Sequence, residues 1–595
     1  MRKLKKYAAP LTGLKPAAAV GVLGIALSLV TGSENFHYIF TLVLIWAVFG
    51  SSWNIISGYG GQMAFGHAVF FGVGAYVSTL LMAKFGVSPF LGVWVGMVVA
   101  VAVSLLIGWP TFKLSGVYFS LATLAYPLML IPVLSYLGYQ EVSIPYIREG
   151  GVWYMQFSEQ RYYTYLMLAL LVVTMVIVSA IERSRLGAAL LSIRHNEWAA
   201  EAAGINAYRT KMVAFAISAA LAAAAGTMYA AVLLVVTPQS VFGLGITVKA
   251  LMVTLVGGLA TVWGAVIGSV VLIPLSHFLL SKYGAQFPGI DNVVLGLFLM
   301  VVIVLAPEGL YWKAISLYHR FRPATRPSHG GSTADLRTSV AVEAPAQWVA
   351  GEKLLQTTAL SKSFRGVAAV NGIDFSASSG EIVGVIGPNG AGKTTLMNLI
   401  NGFVKPDRGS VTFAGKSCTG DPPWQMCRRA LGRTFQVPRL LERRSVIENV
   451  EIGAYHLVSN VLEARAKGLQ ALALVGLSAN AESSMSELST AEVRKLELAR
   501  ALVGNPRLLM LDEPLAGLSG VDIQEFSALV RKLKAQGLCI VIIEHTMSAM
   551  VGLVDRFVVL AEGAVIAAGK PDVVMQDPQV IEAYLGKGWK SHAAN

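Results

Sequence analysis

Cysteine and charge are both scarce in this chain. Its 595 residues include only 3 cysteines, which lie far apart at Cys418, Cys427 and Cys539. This spacing excludes a disulfide framework and a cysteine-based metal site, and it favours a reducing compartment. Charged residues make up only 14% of the chain, hydrophobic residues make up 55%, and the mean hydropathy is +0.60. That composition excludes disorder and a single small soluble domain, and it indicates a protein that lies at least partly in a membrane.

Acidic residues are especially rare in the first half. The formal net charge is +13, and about +11 of it lies before residue 330. A basic excess on an apolar half is typical of cytoplasmic loops beside anionic lipid headgroups. Nucleic acid is therefore the weaker interpretation of the charge, and we expect no nucleic-acid partner.

Apolar runs close to the ~20 residues needed to cross a membrane follow one another from about 17 to 306. The positive-inside rule places the N-terminus, the loop 183–211 and the segment after Trp312 in the cytoplasm. Because the second half of the chain must also be cytoplasmic, the stretch 246–280 must cross an even number of times or re-enter, and Gly257, Gly258 and Gly264 offer a turning point. We expect two short crossings there. We expect about ten crossings.

The basic, then apolar N-terminus also fits a secretory signal, but an uncleaved first span is the simpler interpretation. The predicted spans are 17–31, 36–57, 63–83, 89–109, 114–137, 162–181, 211–236, two within 246–280, and 290–306.

The composition changes near residue 322. Residues 322–351 are rich in Pro, Ser, Thr, Gly and Ala and show no apolar periodicity, which is typical of a flexible linker. From 352 to 595, short β-branched runs alternate with amphipathic helical stretches. The sequence therefore predicts a polytopic α-helical membrane domain (1–321), a linker (322–351) and an α/β P-loop domain (352–595).

A phosphate-binding motif opens the second domain. The apolar run Ile382–Ile386 predicts a strand, and a helical pattern starts at Thr395. Between them the pattern G-x-x-x-x-G-K-[ST] is formed by Gly387, Pro388, Asn389, Gly390, Ala391, Gly392, Lys393 and Thr394. Backbone N–H groups of such a loop bind phosphate, Lys393 reaches the β and γ phosphates, and the Thr394 hydroxyl ligates magnesium. The motif, extended by Thr395, predicts a site for ATP with Mg²⁺.

Two carboxylates follow another apolar strand. In the segment Leu508 to Asp512, the strand ends in Asp512, and Glu513 comes directly after it. This arrangement suits one carboxylate that holds magnesium, Asp512, and one that polarises the attacking water, Glu513. His545 follows a further apolar strand, where it could contact the γ phosphate.

With these motifs together, residues 352–595 resemble the ATP-binding cassette (ABC) family. The resemblance implies that Gln436 is a metal-binding and coupling glutamine and that Phe364 stacks on adenine. It also places Leu488-Ser489-Thr490-Ala491-Glu492 at the signature position, where Ser489 offers a hydroxyl to a nucleotide bound by an opposing ATPase. Here the sequence departs from the family pattern L-S-G-G-Q, because both glycines are absent and Glu492 replaces glutamine. A Cβ at Ala491 crowds the close approach that glycine permits, which puts turnover at that second site in doubt.

The membrane half resembles, over about 36–312, the permeases of branched-chain amino acid importers, a family that includes urea and aromatic-acid permeases. Three segments carry the likeness: 54–76 (NIISGYGGQMAFGHAVFFGVGAY), 184–204 (SRLGAALLSIRHNEWAAEAAG) and the LVGGLATVWGAVIG stretch within 247–268. His67 is more readily interpreted as a packed neutral histidine than as a substrate ligand. Residues 197–204 resemble the coupling helix that docks on the ATPase near Gln436. Few charges lie mid-span, which favours an uncharged or zwitterionic solute.

These observations predict a fused permease and ATPase in the bacterial inner membrane, with its ATPase in the cytoplasm, that imports a branched-chain amino acid or similar small solute. The resemblance implies a second permease, a second ATPase and a periplasmic substrate-binding protein as partners, in addition to the lipid bilayer. Three alternatives stay open: an exporter half-transporter, a urea or aromatic-acid importer of the same family, and a poorly hydrolysing ATP-binding regulator.

Overall fold

The structure is a computed structural model that describes residues 14–147, 151–287, 289–321, 351–442, 444–458, 460–544 and 550–585. The chain forms two compact units, one of Met1–Arg194 with Tyr208–His329 and one of His195–Ala207 with Gly330–Asn595. Apart from Gly351, the predicted linker lies outside the described residues.

The first unit is helical, with a two-stranded antiparallel pair of β1 (Val142–Ser143) and β2 (Val235–Val236). Within the described residues, nine helices are long and apolar enough to span a membrane, and the shorter Leu14–Val30 is a tenth apolar helix. The predicted polytopic α-helical fold is thus confirmed. The helices are α1 Leu14–Val30, α2 Glu34–Trp53, α3 Ala68–Phe85, α4 Pro89–Thr111, α5 Val117–Tyr136, α6 Gln160–Arg183, α7 Arg185–His195, α8 Glu197–Ala202 (in the second unit), α9 Ala207–Leu233, α10 Pro238–Phe242, α11 Leu244–Gly257, α12 Gly264–Tyr283, α13 Ile290–Leu305 and α14 Leu310–Phe321.

Helix α2 forms the centre of this unit. It packs against α6, α11 and α12, and every residue from Thr41 to Trp53 is buried. By contrast, most side chains of α4 and α5 are exposed or half-buried. A helix that is apolar on all sides is stable either inside a protein or against lipid, so this contrast fits a central span surrounded by peripheral ones.

Two helices, α11 and α12, occupy the stretch 246–280, where the sequence predicts two short crossings. The turn between them is held by Asn54, whose side chain donates to the Thr261 carbonyl (2.9 Å) and accepts from the Ala260 N–H (2.9 Å). Asn54 begins a π-helical turn, Asn54–Tyr59, at the end of α2. Glycine is required here, because a Cβ at Gly257 would lie 1.6 Å from the Gly264 carbonyl oxygen. The second helix, at 20 residues, is longer than the short crossing expected from the sequence.

The second unit is an α/β domain with two sheets. A six-stranded sheet has the order β12-β11-β5-β10-β9-β8, in which all neighbours are parallel except β11 and β12. A four-stranded antiparallel sheet has the order β4-β3-β6-β7. The strands are β3 Lys353–Phe364, β4 Val367–Ser378, β5 Ile382–Ile386, β6 Arg408–Phe413, β7 Lys416–Ser417, β8 Leu431–Arg433, β9 Leu508–Asp512, β10 Cys539–Ile543, β11 Arg556–Ala561 and β12 Ala564–Gly569.

Helices cover the parallel sheet, and its inner strands are buried on both faces, which explains their continuous apolar sequences. Because the carboxyl ends of parallel strands share one edge, the residues that follow β5, β8, β9 and β10 come together there. The helices are α15 Lys393–Ile400, α16 Pro423–Arg428, α17 Val446–Ala454, α18 Val461–Leu474, α19 Thr490–Leu502, α20 Gly520–Ala535, α21 Pro571–Val574 and α22 Pro578–Leu585.

Candidate functional site

The phosphate-binding loop connects the buried strand β5 to helix α15. Gly387 (φ 152°) and Gly392 (φ 98°) adopt backbone conformations that residues with a Cβ rarely adopt. A Cβ at Gly387 would also lie 2.1 Å from the Leu560 carbonyl oxygen. The helix begins at Lys393, two residues before the expected start at Thr395. Its N-terminus therefore lies directly behind the loop, where the helix dipole attracts an anion.

Lys393 is buried beneath this loop. Its Nζ donates to the carbonyl oxygens of Gly387 (2.7 Å) and Pro388 (3.0 Å). Burial lowers the pKa of Lys393, and the negative charges of Glu513 and Asp512 oppose that shift. The structure therefore places the predicted lysine within the electrostatic field of both predicted carboxylates. Thr394 is exposed and Thr395 is half-buried.

The two carboxylates lie at the end of β9. Asp512 is 5% exposed. Glu513 has a positive φ of 47°, and its N–H donates to the Ile543 carbonyl at the end of β10 (2.9 Å). Gln436 Nε2 donates to Glu513 Oε2 at 2.8 Å. The fold thus brings Gln436 to the adjacent carboxylates Asp512 and Glu513, although Gln436 lies 77 positions before Glu513 in the sequence. His545, the expected γ-phosphate contact, lies outside the described residues.

The predicted adenine-stacking residue lies on the antiparallel sheet. Phe364 is the last residue of β3 and is 45% exposed. Lys362 Nζ lies 5.6 Å from the centroid of its ring. An aromatic ring this exposed is available for stacking.

At the signature position, the side chains of Ser489 and Glu492 form a capping box with each other. Ser489 caps helix α19: its Oγ accepts from the Glu492 N–H (3.3 Å) and donates to Glu492 Oε2 (2.9 Å), which also accepts from the Ser489 N–H (2.8 Å). The hydrogen bonds from Ser489 lower the pKa of Glu492. An ionised carboxylate therefore occupies the N-terminus of α19, and the Ser489 hydroxyl expected to face a phosphate is engaged with it.

A short helix from the membrane half of the sequence belongs to the second unit. Asn196 caps α8 by accepting from the Ala199 N–H (2.8 Å), and α8 packs against α16. The Trp198 ring is stacked on Phe403, with 5.1 Å between centroids. Phe403 in turn meets Phe435, the residue before Gln436, edge to face at 6.2 Å. The segment His195–Ala207 thus reaches the neighbourhood of the predicted coupling glutamine within one compact unit.

His67 is completely buried in the membrane unit. Its Nε2 lies 3.2 Å from Ser52 Oγ and 3.1 Å from Ser218 Oγ, and its ring packs on Phe49 and Phe70. These contacts favour the interpretation of His67 as a packed histidine that joins α2 and α9.

Sequence reasoning missed one charged residue inside the membrane unit. Lys249 lies eleven residues from the start and eight from the end of the apolar span Pro238–Gly257. Its Nζ lies 5.6 Å from the centroid of the Trp46 ring. Trp46 also meets Tyr229 edge to face, with 6.3 Å between centroids. A lysine at the middle of an apolar span was the available signal, because charge at that depth is costly.

Two arginines of the ATPase unit were also missed. Arg494 donates to the Gln436 carbonyl (3.0 Å), and Arg433 contacts Asp512 (3.3 Å between Nη2 and Oδ2). Both are at most 9% exposed. An arginine in an otherwise apolar strand or helix face is the signal that could have found them, since buried charge is retained only with partners.

Comparison with known proteins gives three family matches along the chain. Residues 35–304 match the permease component of the branched-chain amino acid transport system. Residues 370–516 match ABC transporters, and residues 564–590 match the branched-chain amino acid ATP-binding cassette transporter family.

Individual relatives cover the ATPase half. A probable branched-chain amino acid transport ATP-binding protein of Archaeoglobus fulgidus is 37% identical over 246 residues, which is 39% of this chain and 96% of the relative. The high-affinity branched-chain amino acid transport ATP-binding protein of Pseudomonas aeruginosa is 35% identical, with 39% of this chain and 98% of the relative covered. The lipopolysaccharide export ATP-binding protein of Acidithiobacillus ferridurans is 35% identical, with 39% and 97% covered.

A solved nucleotide-free ATP-binding cassette is 32% identical, with 40% of this chain and 100% of that chain covered, at a TM-score of 0.37. From the family matches and the relatives, the α/β unit is an ABC ATPase, which binds and hydrolyses ATP, and the helical unit is a multi-pass membrane permease domain. The chain therefore belongs to the branched-chain amino acid ABC transporter family and unites its permease and ATP-binding components in one polypeptide.

Proposed function

We propose that this chain imports a branched-chain amino acid or a related small solute across the bacterial inner membrane, driven by ATP in the cytoplasm. One observation carries the proposal: the match to the branched-chain permease component over 35–304 precedes a complete phosphate-binding loop and carboxylate pair on the same chain. The match of the permease half supports the solute class that we propose, and import is part of the same proposal. The ATPase half gives neither, because a relative named for lipopolysaccharide export is as similar to it as one named for amino acid transport.

In this proposal the loop Gly387–Thr395 and Lys393 bind the phosphates, and Phe364 stacks on adenine. Magnesium is held by Thr394, Gln436 and Asp512, which supply a hydroxyl, an amide oxygen and a carboxylate. Such hard oxygen donors suit Mg²⁺, which keeps several waters and shares phosphate oxygens. In keeping with that, the described residues contain no group of three or more His, Cys, Asp and Glu side chains that could hold a metal by themselves.

Glu513 polarises the attacking water in this proposal. Its hydrogen bond from Gln436 (2.8 Å) fixes the carboxylate, and its strained backbone (φ 47°) is held by the hydrogen bond to Ile543. His545 is proposed to contact the γ phosphate. A carboxylate base polarises water only when it is oriented. The geometry around Glu513 therefore supports hydrolysis at the site that contains Lys393.

The membrane unit supports a solute that carries a carboxylate. The other Lys, Arg, Asp and Glu residues of the nine apolar spans lie within about five residues of a span end, except Glu308 in the turn between α13 and α14. Lys249 is instead mid-span, half-buried beside Trp46, and has no ion-pair partner among the described residues. A cation facing lipid at that depth is costly, so we place Lys249 on the solute pathway, where it attracts the carboxylate of an amino acid.

Partners complete this transporter. ATP sites of the ABC family form between two ATPases, so the proposal requires a second ATPase, together with a second permease and a periplasmic substrate-binding protein. The exposed apolar faces of α4 and α5 are available to lipid or to the second permease. An ATP-binding regulator is the remaining candidate that a specific observation favours, because the Ser489 hydroxyl at the signature position is engaged with Glu492.

Reconstitution of the complete complex in proteoliposomes tests the proposal. Radiolabelled leucine, urea and benzoate serve as probes, each with ATP on the side of the ATPase and the binding protein on the other. We expect leucine uptake that requires ATP and is lost with Glu513→Gln. ATP-dependent release of leucine would favour the exporter, uptake of urea or benzoate alone would favour the related importers, and hydrolysis without movement of any probe would favour the regulator.

A further inference from the structure

A buried arginine makes direct contact with the proposed magnesium carboxylate. Arg433, the last residue of β8, is 6% exposed. Its Nη2 lies 3.3 Å from Asp512 Oδ2, and its Nη1 donates to Asn398 Oδ1 at 2.7 Å. Asn398 belongs to α15, the helix that begins at Lys393. The guanidinium therefore bridges the phosphate-loop helix and the end of β9.

Two aromatic rings hold the same guanidinium. Its central carbon lies 5.3 Å from the ring centroid of Phe403 and 5.3 Å from that of Phe435. A cation is attracted to the faces of such rings, and the attraction strengthens when water is excluded. The position of Arg433 therefore depends on where these two rings lie.

The two rings are anchored differently. Phe435 is fixed through its backbone, because its N–H donates to Glu497 Oε1 (2.9 Å) and its carbonyl accepts from Arg494 (3.4 Å). Phe403 follows the C-terminus of α15 and stacks on Trp198 of α8. Trp198 is 52% exposed and lies in the segment His195–Ala207, whose flanking helices α7 and α9 run into the membrane unit. Phe403 is thus the ring that a displacement of α8 would move.

We propose that Arg433 is a positioning residue: a displacement of Trp198 reaches the carboxylate of Asp512 through Phe403 and Arg433. When α8 moves, the Phe403 ring shifts, the guanidinium follows, and the hydrogen bond that orients Asp512 changes. The affinity of the nucleotide site for Mg²⁺ then depends on the permease. This route is separate from the contact between Gln436 and Glu513, and it rests on the proposed role of Asp512 as a magnesium carboxylate.

A purely structural role makes a different prediction. A buried arginine paired with an aspartate also stabilises the fold, and its loss removes one charge partner of the carboxylate. In that case substitutions at Arg433 would lower stability, and Trp198 would have no effect on Mg²⁺. Another arginine–aspartate pair of the same domain, Arg429 with Asp421 at 2.6 Å, serves as a matched control.

The test measures Mg²⁺ binding rather than transport. The full-length chain in detergent is titrated with Mg²⁺ at saturating ATP, and the thermal unfolding midpoint is measured at each Mg²⁺ concentration. The half-effect concentration is the Mg²⁺ concentration that gives half of the maximal change in this midpoint. The variants are Trp198→Ala, Phe403→Leu, Arg433→Lys and the double variant Trp198→Ala with Arg433→Lys, with Arg429→Lys as control. Lysine keeps the charge of Arg433 but cannot contact Asp512 and Asn398 together.

We expect Trp198→Ala and Phe403→Leu each to shift the half-effect concentration at least threefold, and Arg433→Lys to shift it more. In the Arg433→Lys background, Trp198→Ala should add no further shift, whereas Arg429→Lys should leave the value unchanged. Equal shifts from Trp198→Ala in both backgrounds, or none in either, would overturn the proposal, even if Arg433→Lys lowers the unfolding temperature. Because leucine is absent from this assay, a wrong solute in the proposed function would leave these outcomes intact.

Discussion

The amide Nε2 of Gln436 lies 2.8 Å from Oε2 of Glu513, so the glutamine donates a hydrogen bond to the carboxylate that follows strand β9. The two residues are 77 positions apart in the sequence. The backbone of Glu513 is held as well, because its N–H donates a hydrogen bond to the end of β10. A base fixed in this way is suited to orient a water molecule.

From this geometry we expect Glu513→Gln to lower ATP hydrolysis by about 10²-fold or more while ATP still binds, because the amide keeps the shape but cannot accept a proton. Lys393→Ala should instead lose nucleotide binding, since the phosphate contact proposed for Lys393 forms before any chemistry. Measurements of nucleotide binding and phosphate release by the reconstituted complex distinguish the two. Glu525→Gln, at an exposed position of α20, is the control. Normal hydrolysis by Glu513→Gln would contradict the assignment.

The closed capping box at Ser489 predicts two unequal ATP sites in the complex. The site that contains Lys393 should be active if its partner has a normal signature, and the site that borrows Ser489 should turn over slowly. Replacing Thr490 and Ala491 with glycine and Glu492 with glutamine should raise turnover there several-fold, because the glycines remove the Cβ groups that crowd a close backbone approach and the glutamine removes a negative charge. Single-turnover measurements of both sites check this. If Glu513→Gln and the corresponding change in the partner ATPase are equally damaging, the sites are equivalent.

Lys249 predicts a charge-dependent step in transport. If its ammonium attracts the carboxylate of the solute, Lys249→Ala should lower leucine uptake per ATP hydrolysed by about 12-fold or more, as expected for the ~1.5–3 kcal/mol of a hydrogen bond to a charged group. Lys249→Arg should retain most of the uptake. Lys282→Ala, near the end of α12, is the matched control. Wild-type uptake by Lys249→Ala would remove this residue from the pathway.

His456, two residues after the end of α17, predicts a loss of stability in acid. Burial lowers the pKa of His456 from 6.5 to about 4. The folded state thus favours the neutral ring of His456. The contribution of this ring to the free energy of unfolding is complete above pH 6.5 and is lost as the pH falls from 6.5 towards 4. At pH 5 the loss is about 2 kcal/mol. Thermal unfolding of wild type and His456→Gln at pH 7.5, 6 and 5 tests this: the wild type should lose several degrees more than the variant, and parallel curves would contradict it.

Local sequence determined the elements and the first contacts of the ATP site. Composition and apolar run length predicted a polytopic helical domain, and the motif after Ile382–Ile386 predicted the phosphate loop, because both signals depend on neighbouring residues only. The glycines at 387 and 392 are required by backbone conformations that this short segment must adopt. The bounds of the spans moved by a few residues because helix ends depend on tertiary contacts such as those of Asn54.

Only the tertiary structure decided which distant side chains meet. The sequence identified Glu513 from its position after an apolar strand and Gln436 through a family resemblance, but their hydrogen bond depends on the order of β8, β9 and β10 in the parallel sheet. No sequence pattern indicated that Arg433 lies between Phe403, Phe435 and Asp512. Periodicity records whether a position is buried, whereas the partner of a buried charge is set by packing between elements far apart in the chain.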